Sequence, residues 1–210
     1  MIGYYNKSVI ATYLGLASGV IGMAFAMAQA MQQALLCLMI CGLCDMVDGP
    51  IARCCTRTED EKSFGIQIDS LCDLVCFGVL PAMICIAADG GGWYAICVAV
   101  FYVLAAVIRL GYFNVQEINR VRRDPGRRKT YDGLPVTSSA LFVPTFAAVD
   151  ALAPAAFGGF YAVPLALIAL LFISPFRIPK LHTAGMIACG FVGALIFAIM
   201  IAYGGRLGAL

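Results

Sequence analysis

The sequence predicts an all-α integral membrane protein, a bundle of about seven transmembrane helices, and three observations carry that expectation. Of 210 residues, 62% are hydrophobic and only 12% are charged, where a soluble domain carries about 25% charged residues; the mean hydropathy is +0.91. The apolar residues are gathered into runs of about 20, the length a helix needs to cross a bilayer. Basic residues fall in alternate connections, as they do when successive loops lie on opposite sides of a membrane. No single globular core could hide this much apolar surface, so lipid must cover most of it. The whole chain, 1–210, reads as one membrane-embedded domain.

The runs lie at about 9–28, 32–53, 66–88, 92–117, 135–152, 157–174 and 183–204. The first lacks the charged start, short apolar centre and small-residue site of a cleavable leader, so it is expected to remain as a span. Only the Ala-Pro-Gly-rich stretch Pro154–Gly159 separates the fifth from the sixth. Lys7 precedes the first run, and Arg53, Arg57 and Lys62 sit between the second and third. Arg120, Arg122, Arg123, Arg127, Arg128 and Lys129 fill the connection after the fourth, and Arg177 and Lys180 follow the sixth. The intervening connections, Met27–Met31, Asp89–Gly92 and Asp150–Gly159, hold no Lys or Arg. The expectation is a cytoplasmic N-terminus and an outer C-terminus in the cell (inner or plasma) membrane, with Arg206 alone on the wrong side. The run Arg120–Lys129 then fixes topology and meets anionic lipid headgroups. The net charge of +2 says little as a sum, and no nucleic-acid partner is expected.

Ten cysteines lie mostly inside apolar runs. Cys41 and Cys44 form a C-x-x-C, but no second pair with metal-ligand spacing follows, so they read as small buried packing residues and no disulfide is expected. His182 is the lone histidine, with no partner that would suit it to catalysis. Asn6, before the first run, reads as a helix cap.

Four carboxylates sit where hydropathy argues against them. Asp45 and Asp48 lie three apart near the end of the second run, and Asp69 and Asp73 lie four apart at the start of the third. Those spacings put each pair on one helix face, and a short connection makes the two helices antiparallel neighbours with both pairs at one depth. Charges inside a membrane cost several kcal/mol each, about 2.5–3.5 by insertion scales, and face a partner or a wet cavity. Four like charges together need cations. Oxygen-only ligands favour hard ions, Mg²⁺ or Mn²⁺, and two such ions form a clamp suited to displacement at phosphorus. Gly49 and Ala52 leave room beside Asp48 for a ligand, Arg53 can meet a diphosphate with its fork of donors, and Gly65 thins the surface before Asp69. A cation transporter, the reading from another class, would spread its acids across the bilayer and would need neither the glycines nor the arginine.

Asp45-x2-Asp48-Gly49-x2-Ala52-Arg53 followed by Gly65-x3-Asp69-x3-Asp73 resembles the signature of the CDP-alcohol phosphatidyltransferases. The spacer here, Cys54 to Phe64, is longer than that signature usually has. The resemblance implies that Asp45, Asp48, Asp69 and Asp73 hold metal, with Asp73 also taking the proton of the attacking alcohol. Asp48, Gly49, Ala52, Arg53 and Gly65 would surround the CDP-lipid, and CMP would leave. It also implies a homodimer.

Three further segments resemble the phosphatidylserine synthase branch: Arg109-Leu110-Gly111-Tyr112-Phe113-Asn114, Tyr131-Asp132-Gly133-Leu134-Pro135 and Pro175-Phe176-Arg177-Ile178-Pro179-Lys180. The first departs from that branch at Gly111 and Tyr112. The donor so implied is CDP-diacylglycerol and the acceptor L-serine, with Arg109 and Asn114 as acceptor-binding residues. Arg109 is the one basic side chain placed within an apolar run. Glycerol 3-phosphate and inositol phosphate are the alternative acceptors and an archaeal ether lipid the alternative donor. A phosphorylated acceptor would need more cations than Arg109 alone.

Overall fold

A computed structural model describes residues 3–4, 6, 9–123, 130–152, 160–179 and 183–203. Lys7, Pro154–Gly159, Arg127, Arg128, Lys129, Lys180, His182 and Arg206 fall outside the described residues, as does the side chain of Arg53.

The chain is helical almost throughout. α1 (Ile10–Met27) and α2 (Met31–Cys54) form an antiparallel pair. α3 (Glu59–Asp73) runs through a π-helical segment (Leu74–Val79) into α4 (Leu80–Ala88), making one long rod. α5 (Trp93–Arg123) follows, then α6 (Ser139–Leu152) behind a single 3₁₀ turn, α7 (Ala162–Ile173) and α8 (Thr183–Tyr203). Four stretches are long and apolar enough to cross a membrane: Ile10–Met27, Met31–Ala52, Glu59–Ala88 and Trp93–Gln116. Val136–Leu152, Ala162–Ile173 and Gly190–Ala202 are shorter apolar helices. Large apolar side chains such as Leu14, Val100, Ile108, Val163 and Leu195 point outward, more than half exposed, as lipid-facing surface does. This is the construction of a multi-pass membrane protein.

Two expected boundaries move. The third helix begins at Glu59, not near residue 66, because Thr58 and Glu61 close a capping box and Glu59, Asp60 and Glu61 fill the first turn, where negative charge complements the helix dipole. Lys62 is therefore helical and pairs with Glu59 at 2.7 Å. The fourth helix continues to Arg123, so Arg120, Arg122 and Arg123 lie in its last turns, the end that favours cations. Asn6 is not a side-chain cap either. The cap position of α1 is Val9, and the Asn6 amide instead donates to the Thr56 carbonyl and to Glu61, both at 3.3 Å.

The glycine face of α1, packed on α2 and the π segment, accounts for several cysteines. A Cβ on Gly22 would stand 2.9 Å from Cys37 Cβ; on Gly19, 3.0 Å from Cys76 Sγ; on Gly15, 3.2 Å from Cys44 Cβ. Bare glycine surface thus receives a row of small thiols, the close approach by which helices associate in lipid. Cys41 adds a thiol contact to the Gly15 carbonyl at 3.3 Å, and every cysteine whose side chain is described is free.

The π segment has a chemical cause. In an α-helix the Phe77 carbonyl would accept from residue 81, which is proline and has no N–H. The ladder loosens there, and the Tyr102 and Ser139 hydroxyls donate to that carbonyl instead, at 2.7 and 3.3 Å. Tyr102, Phe77, Leu80, Ile84, Leu35 and Leu38 form the buried centre around it.

At the end of the bundle that carries the aspartates, β1 (Thr130–Asp132) pairs antiparallel with β2 (Arg177–Pro179), Tyr131 opposite Ile178. This small ribbon joins the connections after α5 and α7. At the opposite end Asp89 caps α7, accepting from the Tyr161 and Ala162 backbone N–H groups at 2.9 and 3.0 Å. Burial raises the Asp89 carboxyl above its ordinary range, and those two donors partly offset the rise.

Candidate metal and nucleotide site

Asp45 and Asp48 occupy successive turns of α2, and Asp69 lies on the facing turn of α3. Each offers a carboxylate oxygen, and the three oxygens lie within 4.8 Å of one another. Ligand oxygens around a hard divalent ion at about 2.0–2.6 Å fall within this span. Asp48 and Asp69 are within hydrogen-bonding reach of each other. All three are half-buried, which leaves a path from solvent. The donor set therefore fits a hard divalent cation.

Asp73 stands one turn beyond Asp69 and outside that trio. It is the last α-helical residue before the π segment, half-buried. A π turn inserts backbone into a helix and is frequent at functional sites. Here it sets the direction of the rod just past Asp73.

Three neighbours escaped the sequence reading. Thr12 of α1 donates to Asp48 Oδ2 at 3.4 Å. Ser70, between the two α3 aspartates, donates to Asn114 Oδ1 at 2.8 Å, which ties α5 to the site. The Arg57 guanidinium lies 3.6 Å from where a Cβ on Gly65 would be. Thr12 carries no signal beyond its place one turn into an apolar run, and Arg57 looked like one loop cation among several.

Of the nucleotide-facing positions, Gly49, Ala52 and Gly65 are half-buried on the same two helices as the aspartates. Arg53 belongs to the last turn of α2.

The two acceptor candidates leave α5 on different sides. Asn114 faces Ser70 on α3. Arg109, 7% exposed, donates to the Gly133 carbonyl at 3.3 Å. Gly133 has φ 72°, and a Cβ there would stand 3.1 Å from the Phe172 and Ser174 carbonyls and 3.4 Å from Arg109 Nη1. Its N–H donates to the Phe176 carbonyl at 2.6 Å. The segments around Arg109, Gly133 and Arg177, scattered in sequence, thus meet through the Arg109–Gly133 and Gly133–Phe176 hydrogen bonds and the β ribbon.

The profile of the CDP-alcohol phosphatidyltransferase family matches residues 6–204. A Saccharomyces cerevisiae protein named CDP-diacylglycerol–serine O-phosphatidyltransferase is 35% identical over 105 residues, 49% of this chain and 37% of that protein. A Methanothermobacter thermautotrophicus protein named archaetidylserine synthase is 31% identical over 134 residues, 63% of this chain and 54% of that protein. A Helicobacter pylori protein with the same name as the yeast one is 34% identical over 101 residues, 47% and 39% of the two chains. The matched stretch thus spans about half or less of these curated relatives.

Proposed function

Because the chain belongs to the CDP-alcohol phosphatidyltransferase family, we propose that it transfers the phosphatidyl group of CDP-diacylglycerol to L-serine, giving phosphatidylserine and CMP. The observation that carries the proposal is the gathering of Asp45, Asp48 and Asp69 with Asp73 one turn deeper on the same rod. Relatives named as serine transferases, on bacterial, yeast and archaeal sides, supply the acceptor.

Asp45, Asp48 and Asp69 would hold the metal, with Asp73 one turn beyond Asp69 on the same rod. Mg²⁺ or Mn²⁺, as one ion or two, would there neutralise diphosphate charge and favour displacement at phosphorus. Gly49, Ala52 and Gly65 leave the helix surfaces open for the nucleotide, and Arg53 takes a phosphate. Asp73 accepts the proton of the serine hydroxyl as general base. The serine oxygen then bonds to the lipid-side phosphorus while the bond from that phosphorus to the CMP oxygen breaks. Arg109 and Asn114 orient the acceptor, Arg109 toward its carboxylate. The basic residues at the aspartate end support a site at the cytoplasmic face of the cell membrane. The working unit is a homodimer.

The test is CMP release by the purified protein in detergent with CDP-diacylglycerol and Mg²⁺ or Mn²⁺, comparing L-serine, glycerol 3-phosphate and inositol phosphate. Release that requires serine, with phosphatidylserine as product, supports the proposal. Release with another alcohol keeps the aspartate chemistry and removes serine.

A further inference from the structure

The long connection between α2 and α3 sends one arginine back onto the site. Arg57 is half-buried, and its guanidinium lies over Gly65, 3.6 Å from where a side chain would begin. Gly65 precedes Asp69 by four residues, so the two share a face of α3 about 6 Å apart along its axis. The guanidinium therefore sits on the face that bears a metal carboxylate, one turn nearer the mouth of the site.

That placement is held from both sides. Thr58 and Glu61 close the capping box immediately after Arg57, with the Thr58 N–H donating to Glu61 at 2.8 Å. Asn6, from the segment before α1, donates to the backbone carbonyl just before Arg57 and to Glu61. Among the described residues no carboxylate stands within ion-pair distance of the Arg57 guanidinium. A planar cation laid on a bare glycine, with its charge not consumed by a close carboxylate, suits an incoming phosphate.

The geometry points to Arg57 as a nucleotide-binding residue that holds the nucleoside-side phosphate of the donor, and of CMP after transfer. This rests on the reading of the site as one for a CDP-linked lipid. It gives the longer spacer a use: the added residues let the loop fold back so that an arginine covers Gly65. Arg57 then acts one turn away from the aspartates, on the part of the donor that leaves.

The experiment compares the full chain with Arg57→Gln and Arg57→Lys in detergent with Mg²⁺. Calorimetric CMP binding is measured beside the KM values of CDP-diacylglycerol and L-serine and the melting temperature. Arg57→Gln is expected to weaken CMP binding and raise the donor KM by about ten-fold or more, leaving the serine KM within about two-fold. Arg57→Lys falls between, keeping the charge and losing the fork. Unchanged CMP affinity in Arg57→Gln overturns the assignment. So does an equal rise in both KM values with a lowered melting temperature, which makes Arg57 a loop anchor. If the unmodified protein does not bind CMP, the donor reading fails and the role of Arg57 fails with it.

Discussion

The Tyr102 hydroxyl donates at 2.7 Å to the Phe77 carbonyl, the one that Pro81 leaves without its helical donor. Both residues are at most 2% exposed, so this bond satisfies a buried acceptor where no water can. It also clamps α5 to the rod one turn past Asp73. Tyr102→Phe should destabilise the protein by about 1–2 kcal/mol, read as a lower melting temperature in detergent. Adding Ser139→Ala removes the second donor and should cost more than the sum of the two single changes.

The aspartates should separate by role. Asp69→Asn removes a member of the trio and should raise the Mg²⁺ or Mn²⁺ concentration needed for half-maximal activity. Asp73→Asn leaves the trio whole and should lower kcat by about 10²–10⁴-fold with metal affinity largely kept. Metal titrations of activity and of thermal protection on both variants check this. Retention of more than a few per cent of activity in Asp73→Asn removes it from the role of base.

Arg109 and Gly133 should behave as a pair. Gly133→Ala forces a side chain into a left-handed backbone and against two carbonyls at 3.1 Å, so the melting temperature should fall. Arg109→Ala should raise the serine KM more than the CDP-diacylglycerol KM. Equal rises would make Arg109 a structural tie to Gly133 alone.

The thiols of α2 should be dispensable for chemistry. Cys41→Ala with Cys44→Ala keeps small residues against the α1 glycines and should retain most activity. Gly22→Ala, by contrast, brings a Cβ to 2.9 Å from Cys37 and should cost about 1–3 kcal/mol by overpacking. Melting curves of the two variants distinguish packing from catalysis.

Apolar run length located each helix, because a span must satisfy its backbone internally and so declares itself in composition. The aspartates were equally legible, since charge at helical spacing inside apolar runs has few other uses. Helix ends were less so: Lys62 and Arg120–Arg123 looked like loop residues because hydropathy marks where lipid ends, not where the helix does. The π segment left only Pro81 as a mark, and a proline in an apolar run reads equally well as a kink. Contacts between distant segments, Thr12 with Asp48, Arg57 over Gly65 and β1 with β2, depend on how helices pack and have no local pattern. What the glycines at 15, 19 and 22 receive, thiols from α2 and the π segment, is likewise a property of packed helices together.

The most direct measurement is serine-dependent CMP release from CDP-diacylglycerol by the purified protein, followed through chelation with EDTA and re-addition of Mg²⁺ or Mn²⁺. The account predicts release that stops on chelation, returns with the metal and, in Asp69→Asn, returns only at a higher metal concentration. Release that survives both chelation and the loss of Asp69 would contradict a metal-dependent transfer at these aspartates.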